Sequence, residues 1–200
     1  MTSRRDFLGV LATGVAAAGT PLVGSASATA TAETGAAKPW AGRGLDVPGL
    51  ELVMQLVVTC SAPERMGPTA NSKDGLREDV WPIVGGRFVG RNISGVVIPG
   101  GGDFPVVRPD GVTIIDALYR LRTDDGVTII IHNKGLEYAG NEGHTERYRL
   151  VPEFTAPVGK HDWLNRSVFL STLVYPVPAA MALARSPAEN DRLIEVYRVT

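Results

Sequence analysis

The chain has 200 residues, with 20 Lys and Arg against 21 Asp and Glu, a net charge of −1 and a single cysteine. Near-neutrality argues against nucleic acid as a partner, because that binding relies on clustered cations. One cysteine, Cys60, rules out an intrachain disulfide and any metal cluster built from several cysteines.

The N-terminus reads Ser3-Arg4-Arg5-Asp6-Phe7-Leu8, then a short Ala/Val/Gly/Leu stretch, then the small residues Ala26-Ser27-Ala28 and Ala28-Thr29-Ala30. A basic start, a short apolar region and an A-x-A site make a cleaved signal. The apolar part is broken by Thr13, Gly14, Gly19 and Pro21, so it predicts no stable membrane anchor. Paired arginines before x-Phe-Leu predict recognition by the twin-arginine translocase, which exports folded proteins. The expected location is therefore periplasmic or extracellular. Residues 1–30 read as the signal, 31–44 as a flexible Ala/Thr/Gly linker, and 45–200 as one domain. Removing the signal takes away Arg4, Arg5 and Asp6 and moves the net charge to −2.

Within the domain, apolar segments rich in β-formers recur between turns. Residues 50–59 and 87–98 open the series, and 112–121 and 127–133 follow, joined by Arg122-Thr123-Asp124-Asp125-Gly126, whose Asp-Gly end signals a hairpin. Further strands are expected at 146–151, 167–174 and 193–199. Seven or eight strands, punctuated by 23 glycines and 14 prolines, predict an all-β antiparallel sandwich or barrel. Cys60 follows Val57-Val58-Thr59 and reads as a buried thiol at a strand end. Residues 178–185 are the best helical stretch, and one or two short helices are the expected total.

The run Pro99-Gly100-Gly101-Gly102-Asp103-Phe104-Pro105 and its continuation to Gly111 predict a rigid, irregular loop between strands, where barrels place sites. No helix follows, so the glycines are not a phosphate loop. Asp103 and Arg108 have two readings: an ion pair bracing the loop, or groups at a barrel mouth facing a ligand. Alternation puts Ile114, Asp116, Leu118 and Arg120 on one face of the next strand, with Ile115, Ala117, Tyr119 and Leu121 on the other. Asp116 in an apolar run needs a partner such as Arg120, Arg108 or a backbone donor. It reads as a structural ion pair or, if buried, as a proton carrier. His132, at the end of 128–133, is the most embedded histidine by sequence and the best candidate acid or base. His144 falls in a polar loop, and Trp163, after His161, either walls a pocket or closes the core. No HxH, HExxH or G-x-S-x-G spacing occurs, so neither a metal site nor a Ser-His-Asp triad is expected.

Taken in order, Gly100-Gly101-Gly102-Asp103-Phe104, Arg108-Pro109-Asp110-Gly111, Ile115-Asp116-Ala117-Leu118-Tyr119, Thr123-Asp124-Asp125-Gly126, Asn133-Lys134-Gly135 and Trp163-Leu164-Asn165 give the domain its resemblance to domain-of-unknown-function family 3237, also called uncharacterised protein family 0311. The resemblance spans about residues 50–200 and implies a small lipocalin-like β-barrel. Where relatives are expected to read Asp-Ala-Arg-Tyr, this chain has Leu118, so Arg120 would have to supply the partner of Asp116. Some fungal relatives are linked to ring-forming or rearrangement steps on aromatic natural products. This implies a cofactor-independent cyclase or isomerase acting on a small molecule; the alternative is a barrel that binds a small ligand without transforming it. The expected catalytic set is Asp116, Asp103, Arg108 and His132, with Tyr119, Trp163 and Arg120 contacting substrate.

Overall fold

A computed structural model describes residues 46–69, 77–138 and 147–200. The twin-arginine signal, the linker and the His144 loop lie outside the described residues. The wall consists of β1 (Leu50–Cys60), β3 (Arg77–Gly90), β4 (Ile93–Asp103), β6 (Val112–Thr123), β7 (Thr128–Tyr138), β8 (Arg147–Thr155), β9 (Phe169–Val174) and β10 (Asn190–Val199). Two short strands, β2 (Glu64–Gly67) and β5 (Val106–Val107), pair with the start of β3.

The Asp-Gly hairpin forms as its sequence predicts. Gly126 sits at φ +88°, its N–H donates to the Thr123 carbonyl, and β6 and β7 pair without a break from Arg122↔Thr128 to Val112↔Tyr138. The run 87–98 divides into two strands at Arg91-Asn92, where Asn92 takes φ +62°, a conformation asparagine tolerates better than most side chains. Antiparallel pairing then proceeds β1-β10-β9-β8-β7-β6-β4-β3, and β3 returns to β1, closing an eight-stranded barrel. Closure leaves none of the eight wall strands as an open edge.

Alternation decides what is inside. On β6, Ile115, Ala117, Tyr119, Leu121 and Thr123 are buried while Ile114, Leu118, Arg120 and Arg122 are exposed, as expected for a half-buried strand. Leu56, Leu121, Ile129, Ile131 and Val196 meet on the axis with essentially no exposed surface. Cys60 is buried at the end of β1, and burial pushes its thiol up to about 11, which leaves it protonated and inert at neutral pH.

The two ends of the barrel differ. At one end, a short 3-10 helix (Asp162–Arg166) tucks Leu164 inside, and the Asn165 side chain bonds both the N–H and the carbonyl of Ala156 at 2.8 Å. Trp163, Phe169 and Phe154 pack edge to face there. At the other end β1, β4, β7 and β9 finish while β3, β6, β8 and β10 begin, and no such stopper fills the axis among the described residues. Residues 178–185 form no α-helix, only a 3-10 turn at Ala179–Met181.

The glycine run departs from its expected loop conformation. Gly100, Gly101 and Gly102 lie within β4, pressed against β6, where a side-chain carbon at Gly101 would fall 2.5 Å from the Tyr119 Cβ and 2.7 Å from the Leu118 carbonyl. Gly101 serves close strand packing across a bulge between Ile98 and Gly102, while Gly100 takes φ +94° and Gly102 faces the Phe104 ring, uses of glycine that composition alone does not separate from a turn.

Candidate functional site

Among the described residues, this second end opens into a cavity of roughly 390 Å³, within the range of small-molecule sites. Its apolar and aromatic wall comes from Trp81, Ile115, Tyr148, Leu173 and Tyr175. Its charged groups are Arg65 on β2, Asp79 on β3, Asp103 on β4, Glu137 on β7 and Arg192 on β10, and Thr113 on β6 adds a hydroxyl.

Asp103 ends β4 opposite Ala117, an inward-facing position, so the pairing itself aims the carboxyl into the barrel. Its Oδ1 accepts the Asp116 N–H at 3.1 Å, and the Phe104 N–H donates to the Asp116 carbonyl at 3.0 Å, fixing the strand end. Burial pushes its pKa up to about 6, partly offset by the Asp116 N–H bond and by the charge of Arg192. The Arg192 guanidinium lies 4.6 Å from the Trp81 ring centre and 5.3 Å from that of Tyr175, and it bonds the Asn190 side chain. Such stacking holds the cation in one orientation. Asp79 is 5% exposed; its Oδ2 meets Arg65 at 2.5 Å, and its Oδ1 has no hydrogen-bond partner among the described residues. Tyr148 donates to Glu137 at 3.1 Å on the facing wall.

The four residues grouped by sequence do not share this cavity. Asp116 and His132 lie on the outer face, 49% and 31% exposed, with the His132 ring nitrogen 2.5 Å from the carboxylate. Asp116 thus finds its partner across the β6–β7 pair, in His132, and not in Arg120, which donates to the Pro99 carbonyl at 3.0 Å. Nor does Arg108 brace Asp103: it bonds Asp110 within the exposed turn that joins β5 to β6. His161, not His132, is the embedded histidine, 2% exposed and held by Asp125 at 3.2 Å at the stoppered end. Tyr119 is buried in the layer beneath the cavity, where burial, with Cys60 and Asp103 close by, pushes its hydroxyl pKa up. Trp163 lines a separate surface cleft at the stoppered end with Glu51, Arg91 and Arg198.

Of the sequence candidates, then, Asp103 alone lines the mouth. Asp79, Trp81 and Arg192 belong to no motif in the sequence, although Asp79 and Trp81 share a strand face at i and i+2, a spacing that marks two residues looking into one space. Among the described residues no three His, Cys, Asp or Glu side chains group as metal ligands.

An eight-stranded antiparallel barrel with an ionisable cavity at one mouth is the class that fold and site define. The family described as "Protein of unknown function (DUF3237)" matches residues 48–177, and the chain belongs to that family. A UPF0311 protein of Clostridium acetobutylicum is 30% identical over 134 residues, 60% of this chain and 82% of the relative. A UPF0311 protein of Rhodopseudomonas palustris is 30% identical over 105 residues, 46% of this chain and 69% of the relative. Among solved structures, a protein of unknown function from Clostridium acetobutylicum superposes with a TM-score of 0.63 at 26% identity, over 78% of this chain and all of that one. A beta-barrel like protein from Acinetobacter baumannii gives 0.60 at 21% identity, over 78% and 100%. An enzyme from Penicillium herquei gives 0.58 at 21% identity, over 80% and 99%. The last two likenesses show the fold alone.

Proposed function

We propose that the protein is an exported, cofactor-independent enzyme, a cyclase or isomerase, that moves a proton on a small, partly apolar molecule held in the mouth cavity. The observation that carries this reading is the Asp103 carboxyl, raised to about 6 beside a fixed guanidinium. A proton carrier works best when its pKa lies near the working pH. As a base, the Asp103 carboxylate takes a proton from a carbon next to a carbonyl, and the C–H electron pair moves onto the carbonyl oxygen. Arg192 stabilises that oxyanion electrostatically. Return of the same proton to another carbon completes an isomerisation; addition of the enolate carbon to a second carbonyl of the same molecule, whose π pair becomes an alkoxide that takes the proton back from Asp103, completes a cyclisation, and neither needs an external oxidant or reductant. The Penicillium herquei protein of the same fold, described as an enzyme, supports the idea that such a barrel accommodates catalysis. Arg4 and Arg5 support export through the twin-arginine route.

The test is hydrogen exchange. Wild type incubated in D₂O with a panel of small enolisable aromatic ketones is expected to place deuterium at the α-carbon of at least one, and Asp103→Asn is expected to lose that exchange. A second reading, a barrel that binds a ligand without transforming it, is favoured by the unpartnered Asp79 acceptor, which needs only a donor and no reaction. Binding with no exchange above the uncatalysed rate across the panel decides for that reading.

A further inference from the structure

We infer that Asp79 is the anchoring acceptor of the mouth cavity, and that the ligand it takes carries a hydrogen-bond donor, a hydroxyl or an ammonium group, on a ring-sized apolar body. The inference rests on the mouth cavity being a ligand site, but not on turnover there.

The carboxylate is almost wholly buried, yet only one of its oxygens is used. Oδ2 is held by Arg65, and Oδ1 lies buried without a partner among the described residues, on a side chain that lines the cavity. A buried acceptor left unmet costs about 1–3 kcal/mol, so a donor delivered by a ligand recovers that cost on binding. No described backbone group reaches it: Asp79 sits where β3 passes from β2 to β5, and its own N–H is directed to the Pro105 carbonyl. The body of the ligand then lies against Trp81 and Ile115, the neighbours of Asp79 on the same wall.

The charges around the cavity set the polarity of what enters. Asp79, Asp103 and Glu137 face two cations, Arg65 and Arg192. Arg65 is ion-paired with Asp79, whereas Arg192 rests on Asn190 and its two aromatic neighbours and keeps its charge. An incoming carboxylate or phosphate brings no donor for the Asp79 acceptor and meets that residue's own negative charge. A neutral or cationic donor meets a waiting acceptor.

Benzyl alcohol, benzylamine, benzoate and toluene share one ring and differ in the group it carries. They are to be titrated into the full-length protein at neutral pH while the indole N–H resonance of Trp81, assigned with Trp81→Phe, is followed by NMR. Benzyl alcohol or benzylamine is expected to bind at least tenfold more tightly than benzoate and toluene, and the order of the two separates hydroxyl from ammonium. Asp79→Asn is expected to lose at least tenfold of that affinity. If the variant does not fold, the carboxyl-carbon shift of Asp79 in wild type serves instead: it moves with the donor ligand and stays fixed with benzoate. Equal or tighter binding of benzoate, no binding by either donor, or unchanged affinity in Asp79→Asn overturns the inference. Loss of exchange in Asp103→Asn with donor binding intact bears on the proton-transfer reading alone.

Discussion

Asp103 on β4 and Arg192 on β10 face one cavity from strands three positions apart around the barrel, so that the guanidinium lowers the carboxyl pKa while burial raises it. Neither residue holds the other in a direct ion pair among the described contacts. The carboxylate is thus left able to take up and release a proton.

This balance makes Asp103 a liability to the fold at high pH. An unfolded aspartate titrates near 3.9, and the folded one at about 6. Between those values the native protein binds more protons than the unfolded chain, so stability falls as pH rises through this window and stays reduced above it. Asp103→Asn, whose side-chain oxygen still accepts the Asp116 N–H, is expected to be more stable than wild type at about pH 8, by up to about 3 kcal/mol, with the gain gone near pH 4. Urea unfolding at the two pH values checks it.

Arg192→Met removes the cation while keeping an unbranched side chain between Trp81 and Tyr175. Because the Arg192 charge lowers the Asp103 pKa, the variant should titrate Asp103 above 6, and the exchange reaction should reach half its maximum at correspondingly higher pH. The pH profile of deuterium incorporation in wild type and variant measures the displacement.

At the stoppered end the sign is opposite. Hydrogen bonds from Thr123, Lys160 and His161 hold the Asp125 carboxyl well below the usual carboxylate range. Its contribution to stability is present above the unfolded value near 3.9 and is lost only as pH falls through the depressed folded value. Asp125→Asn should therefore melt at a lower temperature than wild type at neutral pH, with the gap narrowing in acid. Thermal unfolding followed by circular dichroism across that range tests this.

Gly101→Ala should be among the most damaging small substitutions in the wall. The added carbon meets the Tyr119 Cβ and the Leu118 carbonyl inside a paired strand, so neither neighbour yields easily. A loss of about 1–3 kcal/mol or more is expected, measured by chemical denaturation. Gly67→Ala, with nothing within 4 Å but φ +72°, should cost about 1 kcal/mol from backbone strain alone.

The outer-face pair gives a control. Asp116→Asn weakens a half-exposed interaction with His132, worth about 0–1 kcal/mol, and should retain α-carbon exchange with its pH midpoint moved slightly down, because the Asp116 backbone still holds Asp103 while the Asp116 charge that raises the Asp103 pKa is gone.

Strand number, the Asp-Gly hairpin and the division of β6 into two alternating faces were legible in the sequence, because each depends on local alternation and turn chemistry. The site was legible only in Asp103. Asp116, flanked by Ile115 and Ala117, gives no local sign of which face it takes. That face is fixed by the register in which Ala117 meets Asp103 and Asn133. Asp79 and Arg192 lie more than a hundred residues apart in the chain and meet only because β3 closes on β1, and β1 on β10. Pairing across a closing seam carries no signature in either strand alone.

The carboxyl carbon of Asp103, assigned with Asp103→Asn and followed by ¹³C NMR as a function of pH, tests the central claim most directly. A midpoint at about 6, moved by ligands that occupy the mouth cavity, is the predicted result. A midpoint below about 4, that of an ordinary solvated aspartate, and no response to such ligands would contradict it.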